Sequence, residues 1–393
     1  MDTTDTSRTL LTRRRLLAGA AAGGASLGLF EFLTQEQARS AAAALTRDAS
    51  QTQATSALRP TEAVGAILAA LTRWPLVAVT ERHLLQEWHD TMNVVLWHPD
   101  LFRGLTDIVV EFGVASYQAM IDQFIVEGAP LAKPELVQVW RQIGDPEWNA
   151  PVYEQLFRTV RAINRRRPAS QRIRILLGQQ PITMSDVLSR PQDGALRQAF
   201  LRPMDDHYAA LVKREVLDRN RRALLIAGKG HLLRGIRQDP PGTGPNAGSQ
   251  LAALGAGKLH VIDNLILPPG TPPDASARRV HNELSRPTTP VVASLAGTWL
   301  GATSRRLGNG WINELADRAT SPASARYDHQ ADAVLYLGPG ETLTISQPDP
   351  TIYQTGAYAH DLQQVTNLLR AGDEIGFGRR EANVGPSWFS LFH

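Results

Sequence analysis

The sequence predicts an α/β fold: a mostly parallel β-sheet with helices on both faces and an inserted helical cap or subdomain. Two observations point there. Near-continuous aliphatic runs, such as LVAVT at 76–80, DIVVEF at 107–112 and ALLIA at 223–227, read as strands buried on both sides. Segments of helical periodicity separate them, which is the alternation of a covered parallel sheet.

The elements follow in order. After the 76–80 strand comes a helix over 83–96, then the 107–112 strand. Tyr117, Met120, Ile121, Phe124 and Ile125 repeat at three- and four-residue spacing, the stripe of an amphipathic helix. Further helical segments cover 134–166, a third strand lies at 172–178, and a long helical stretch at 185–221 is interrupted by Pro203. The helical insertion, about 114–215, is too long for simple crossovers. The fourth strand is 223–227. A Pro/Gly loop at 240–248 leads to another helix, and 259–265 and 333–337 are further strands. The α/β domain thus spans 66–345, and 346–393 supplies a short helix and an aromatic tail.

The N-terminus carries a different signal. Thr12-Arg13-Arg14-Arg15-Leu16-Leu17 places an arginine cluster before a weakly apolar Ala/Gly/Leu stretch, and Ser40-Ala41-Ala42-Ala43-Ala44 follows as a small-residue end. That stretch is shorter than the about 20 apolar residues that span a bilayer. The pattern is that of a cleaved twin-arginine signal at 1–43, with a linker at 44–65. The expectation is a protein handed to the twin-arginine export machinery and released into the periplasm or medium, without stable membrane insertion.

Composition narrows the chemistry. The 393 residues carry a formal charge of +3, too small for an electrostatic case for nucleic acid. With no cysteine there is no disulfide, no lipidation site and no thiol nucleophile, so a metal site would need His, Asp or Glu.

Ligands of open parallel sheets bind beyond the carboxyl ends of the strands. Here those ends carry ionisable groups: Glu81 and His83 after the first strand, Glu111 at the second, His231 after the fourth. Neighbouring strands lie about 4.8 Å apart, so these groups converge if their strands are adjacent. Two carboxylates brought together raise one pKa, which yields an acid beside a base. His83 stands where a helix begins, and the positive end of the dipole favours a neutral imidazole. The glycines beside His231 leave room for a ligand. His207 shares a helix face with Arg214, a second place for ligand contacts. Trp88 and Trp97 read as core.

The segments VAVTERHLLQEWH, DIVVEFG, KREVLDRNRRALLIAGKGH and YDHQADAVLYLG together resemble the erythromycin-esterase/ChaN-like superfamily, whose distant relatives include Tiki-type proteases. The resemblance implies a shared site of Glu81, His83, Glu111 and His231. It adds His89, at the position of a later histidine in ChaN-like proteins, and Arg214, at the family's Arg-acidic pair. It departs at Thr80, where the family has Gly, and at Gly228, which leaves His231 without the paired histidine of erythromycin esterases. The second departure moves the chain toward the ChaN-like branch, which the family associates with haem.

Three functions follow as expectations. One is a hydrolase of ester, lactone or amide bonds, with Glu81, Glu111, His83 and His231 in acid-base work and Arg214 stabilising negative charge. The second is a small-molecule binding protein, for haem or a related ligand, with His89 and His207 as contacts. The third is a hydrolase that uses a divalent metal on His and Glu.

Overall fold

The computed structural model describes residues 56–238, 244–267, 275–285, 290–304, 318–321 and 323–373. The twin-arginine segment, most of the linker, part of the Pro/Gly loop and the aromatic tail lie outside the described residues.

The chain is an α/β protein. In chain order it runs through β1 (Thr61–Glu62), α1 (Ala63–Arg73), β2 (Leu76–Glu81), α2 (Gln86–Trp97), β3 (Asp107–Val114), α3 (Pro151–Asn164), β4 (Arg174–Gln179), α4 (Asp205–Val212) and β5 (Ala223–Gly228). It continues through α5 (Ala247–Ala253), β6 (Leu259–Asn264), α6 (Ala275–Leu284), β7 (Val291–Ser294), β8 (Ala333–Tyr336) and α7 (Ala357–Asp373). Short helices and helical turns fill the stretches between β3 and α3 and between β4 and α4. The sheet order is β1-β7-β8-β6-β2-β5-β3-β4. Its body is parallel, and only β7 pairs antiparallel, with β1 and with β8.

The strand side chains alternate between two cores, as a pleated strand requires. Val77 and Val79 of β2 and Leu224 and Ile226 of β5 pack with Ile67 of α1, Trp88 of α2 and Phe157 of α3. Ala78 of β2 and Leu225 of β5 face Tyr208 of α4, Leu251 of α5 and Val280 of α6. Both faces are therefore covered, which explains why the strands are aliphatic throughout. Truncating a side chain as large as the fully buried Trp88 to Ala costs about 3–5 kcal/mol at such a site.

Three local features position the site. First, β5 lies between β2 and β3, with Glu81 level with Gly228 and Val110 level with Ile226. The ends of β2 and β3 thus face each other across Gly228. Second, β3 is bulged against β4: Val110 pairs with Leu177 but Val114 pairs with Gln179. Glu111 begins that bulge, a feature that re-aims side chains at sheet edges. Third, Gly178 of β4 admits the Tyr208 ring, whose hydroxyl donates to Val109 O at 2.9 Å. This close approach seats α4 against the sheet with Asp205 at its start.

Sequence and structure differ in places. Residues 56–65, read as linker, already belong to the fold: Leu58 is buried, and Glu62 caps α1 by accepting from Val64 N and Gly65 N at 2.8 and 2.7 Å. β1 and β7 were not anticipated, because two and four residues are too few to show a period. The insertion is helical but is divided by β4, the sheet's edge strand. Trp88 is core, as read, whereas Trp97 is 41% exposed. Among the described residues no helix is long and apolar enough to cross a membrane.

Candidate active site

Glu81 anchors the site from the last position of β2. It is 2% exposed, and both its oxygens are engaged. Oε2 lies 3.3 Å from His83 Nδ1; Oε1 lies 3.0 Å from His89 Nε2 and accepts from the Tyr153 hydroxyl at 3.0 Å. Tyr153 in turn accepts from Leu84 N at 3.0 Å. That bond holds Leu84 at φ +70°, a left-handed conformation unusual for a branched side chain. The strained turn swings His83 back over the sheet edge.

Glu111 answers from β3. Its Oε2 accepts from Gly228 N at 2.7 Å, and its Oε1 lies 3.3 Å from His231 Nε2. His231 is backed on its other nitrogen by Asp205 Oδ2 at 3.0 Å, and Asp205 Oδ1 accepts from Ala247 N at 2.8 Å. The His83 ring lies over Gly228: a Cβ there would come within 3.3 Å of its Cε1 and Nε2 and 3.6 Å of Glu111 Oε2. The space that Gly228 leaves is thus filled by a protein side chain. Below the edge, Lys229 Nζ donates to Asp263 Oδ2 at 3.3 Å and to Asn264 O at 3.1 Å. Thr80 donates to Asp263 Oδ1 at 2.6 Å, and Tyr327 also donates to Asp263.

The turn Pro146–Asn149, from the insertion, closes the site on a further side. Its Glu147 Oε1 lies 3.9 Å from His83 Nε2. Trp148 meets the His83 ring edge-on at 4.5 Å and packs on Phe112 and Tyr153. From outside, Tyr353 donates to Pro146 O at 2.6 Å, and Asn149 Nδ2 donates to the Tyr358 hydroxyl at 3.0 Å.

The charges redistribute accordingly. Burial pushes the Glu81 carboxyl up, but hydrogen bonds and charge from His83 and His89 outweigh it and bring it down to about 2. Burial also opposes ionisation of Glu111, and His231 and His83 prevail, so it too is lowered. Burial disfavours the His231 cation, yet Asp205 and Glu111 hold it up at about 10. His83 goes the same way: against burial, Glu147, Glu111 and Glu81 raise it well above the ordinary histidine value. The carboxyls that rise are Glu147, through burial and Asp145, and Asp145 itself, through burial.

These values correct two expectations. Neither strand-end carboxyl is the raised one, because each has an imidazole partner. His83 is not kept neutral by a helix dipole: α2 begins only at Gln86, and three carboxylates surround the ring.

Glu81, His83, Glu111 and His231 come together as expected, and His89 joins them as the buried partner that orients Glu81. Arg214 does not. Its Nε donates to Glu215 at 3.0 Å, its side chain is 58% exposed, and Glu215 also binds Arg174, the first residue of β4. Arg214 therefore sits toward the amino ends of the strands, the edge opposite the site. His207 makes no described bond to the cluster, and its Nε2 is enclosed without a partner. Asp205, Asp145 and Glu147 were not anticipated.

Neither histidine expected to contact haem is placed to do so. His89 is buried between Trp88 and Tyr153 with its Nε2 taken by Glu81, and the Nε2 of His207 is enclosed. Among the described residues, no group of three or more His, Asp or Glu side chains has the geometry to hold a metal ion. A surface hollow of about 440 Å³ lined by Trp97, Glu154 and Arg158 shares no residue with the cluster.

Fold and site together define an α/β protein with an imidazole-carboxylate cluster at the carboxyl edge of a parallel sheet. No protein-family model matches the sequence, and no curated protein matches it. Among solved structures, the chain is similar to an erythromycin esterase in its open conformation, at 11% identity over 74% of this chain and 99% of that one, TM-score 0.47. It is similar to a succinoglycan biosynthesis protein at 9% identity over 74% and 96%, TM-score 0.48. A third similarity is to the haem-binding ChaN of Campylobacter jejuni, at 11% identity over 51% and 85%, TM-score 0.34.

Proposed function

We propose that the chain is an exported hydrolase of esters, lactones or amides. One observation carries the reading. The buried carboxylate of Glu111 is paired with His231 at 3.3 Å and stands beside the His83 ring at Gly228, and each imidazole is backed by a second carboxylate of its own, Glu81 for His83 and Asp205 for His231. The side chains of His83 and His231 are 26% and 28% exposed, whereas those of their carboxylate partners are at most 6% exposed, so it is the rings that meet a substrate.

The division of labour follows from the charges. His231, held cationic through neutral pH, offers its charge and its Nε2–H, which Glu111 holds only at 3.3 Å, to the oxyanion that forms when water adds to a carbonyl. His83, a strong base once its Nε2 proton has passed to a neighbouring carboxylate, takes a proton from that water through Nε2, with Glu81 fixing Nδ1 and so the ring's orientation. Glu111 holds the His231 ring, and its charge acts on both imidazoles. Glu81→Gln and His83→Ala should each lower kcat/KM on a panel of esters and peptides by about 100-fold or more. Unchanged activity in both variants refutes the reading. Export rests on the arginine pair: Arg13→Lys with Arg14→Lys should leave the protein in the cytoplasm, and undiminished export would argue against the twin-arginine route.

A further inference from the structure

We propose that Glu147, on the turn that the insertion lays over the sheet edge, is the proton donor to the leaving group. The proposal rests on the hydrolase reading and extends it to a residue outside the strand-end motifs.

The geometry is specific. Glu81 occupies Nδ1 of His83, so Nε2 is the nitrogen free for chemistry, and Glu147 Oε1 is 3.9 Å from it. The Glu147 side chain is only 9% exposed, and His83 is its one ion-pair partner among the described residues. The turn is rigid. Asp145 Oδ1 accepts from Glu147 N at 3.1 Å, Trp148 is wedged between His83 and Tyr153, and Tyr353 and Tyr358 fasten both ends from outside. The groups facing Glu147 are Asp145 on its own turn, Glu81 and His83 after β2, Glu111 on β3 and Tyr153 on α3. Most of these are carboxyls, so a proton on Glu147 relieves repulsion from three sides. Its raised pKa, caused first by burial and then by Asp145, agrees.

The proton account closes. His83 Nε2 and Glu147 carry one proton between them, exchanged through a water bridging the 3.9 Å gap, and the reactive form places it on Glu147. Water gives a proton to Nε2 as its oxygen bonds to the carbonyl carbon. The bond from carbon to the leaving oxygen or nitrogen then breaks, and that atom takes the Glu147 proton. The products are an acid and an alcohol or amine. His83, now protonated, returns its proton to the Glu147 carboxylate through one water bridging the 3.9 Å gap, and the site is reset.

The test compares two esters of one acyl group, an ethyl ester and a 4-nitrophenyl ester, with wild type, Glu147→Gln and Glu147→Asp. A nitrophenolate departs without protonation, whereas an ethoxide needs it. Glu147→Gln should lose about 100-fold or more in kcat/KM on the ethyl ester and little on the nitrophenyl ester, and Glu147→Asp should restore part of the loss. Equal losses on both esters, or none, overturn the proposal, with circular dichroism confirming the fold. If wild type hydrolyses neither ester, the hydrolase reading falls. The proton on Glu147 is then read from the infrared difference between wild type and Glu147→Gln at neutral pH. A protonated carboxyl band supports the assignment and carboxylate bands overturn it.

Discussion

Replacing Asp205 by Asn tests the charge on which the role of His231 depends. Asp205 Oδ2 lies 3.0 Å from one ring nitrogen and Glu111 Oε1 3.3 Å from the other. Against burial, the two lift the imidazole from 6.5 to about 10, a difference of about 3.5 pH units or about 5 kcal/mol. Asp205 is the nearer and contributes the larger share. With Glu111 left in place, its removal should lower the midpoint by about two pH units, or about 3 kcal/mol. The amide is isosteric and keeps the oxygen that accepts from Ala247 N, so the fold is spared. Titration of the ring nitrogens by nuclear magnetic resonance measures both midpoints. A wild-type midpoint near the ordinary histidine value, or one that Asp205→Asn leaves unmoved, refutes the reasoning.

Three further outcomes follow from the same geometry. Glu81, brought from 4.5 to about 2, contributes stability that is complete above about pH 4.5 and is lost as pH falls through about 2. Glu81→Gln should therefore remove about 3 kcal/mol of the acid-side loss in urea unfolding, and an unchanged slope speaks against it. Gly178→Ala drives a Cβ to 2.6 Å from Val110 O and into the Tyr208 ring, so it should cost about 1–3 kcal/mol or more in the same assay, and a neutral result contradicts the close packing of α4. Arg214→Ala should leave hydrolysis intact and stability within about 0.5 kcal/mol; a large kinetic loss would bring Arg214 back to the site.

The strands were readable because burial on both faces leaves an aliphatic run that little else produces. Their ends were readable for the same reason: Glu81, Glu111 and the Gly228–His231 segment interrupt those runs abruptly. The partners were not. Asp205 reaches His231 only because Gly178 admits Tyr208 and seats α4, and that close approach joins residues distant in the chain. Met204 and Asp205 directly after Pro203 were a usable signal for an acidic helix start. Glu147 depends on the path of a turn that Trp148 pins from within and two tyrosines from without, which no period records. Arg214 shows the converse error. The resemblance alone brought Arg214 to the site, but the helical stretch ends at the opposite edge of the sheet, where Glu215 meets Arg174.

The two tyrosines set an order of assembly. A ribosome makes the chain from its N-terminus, so β2, β3, β5 and all the strand-end residues emerge before Tyr353 and Tyr358. The sheet edge can form while the Pro146–Asn149 turn still lacks its outer fasteners. Completion of the acid-bearing turn thus waits for Tyr353 and for Tyr358 of α7, and a nascent chain stalled before them would carry the rings and carboxylates without a secured Glu147.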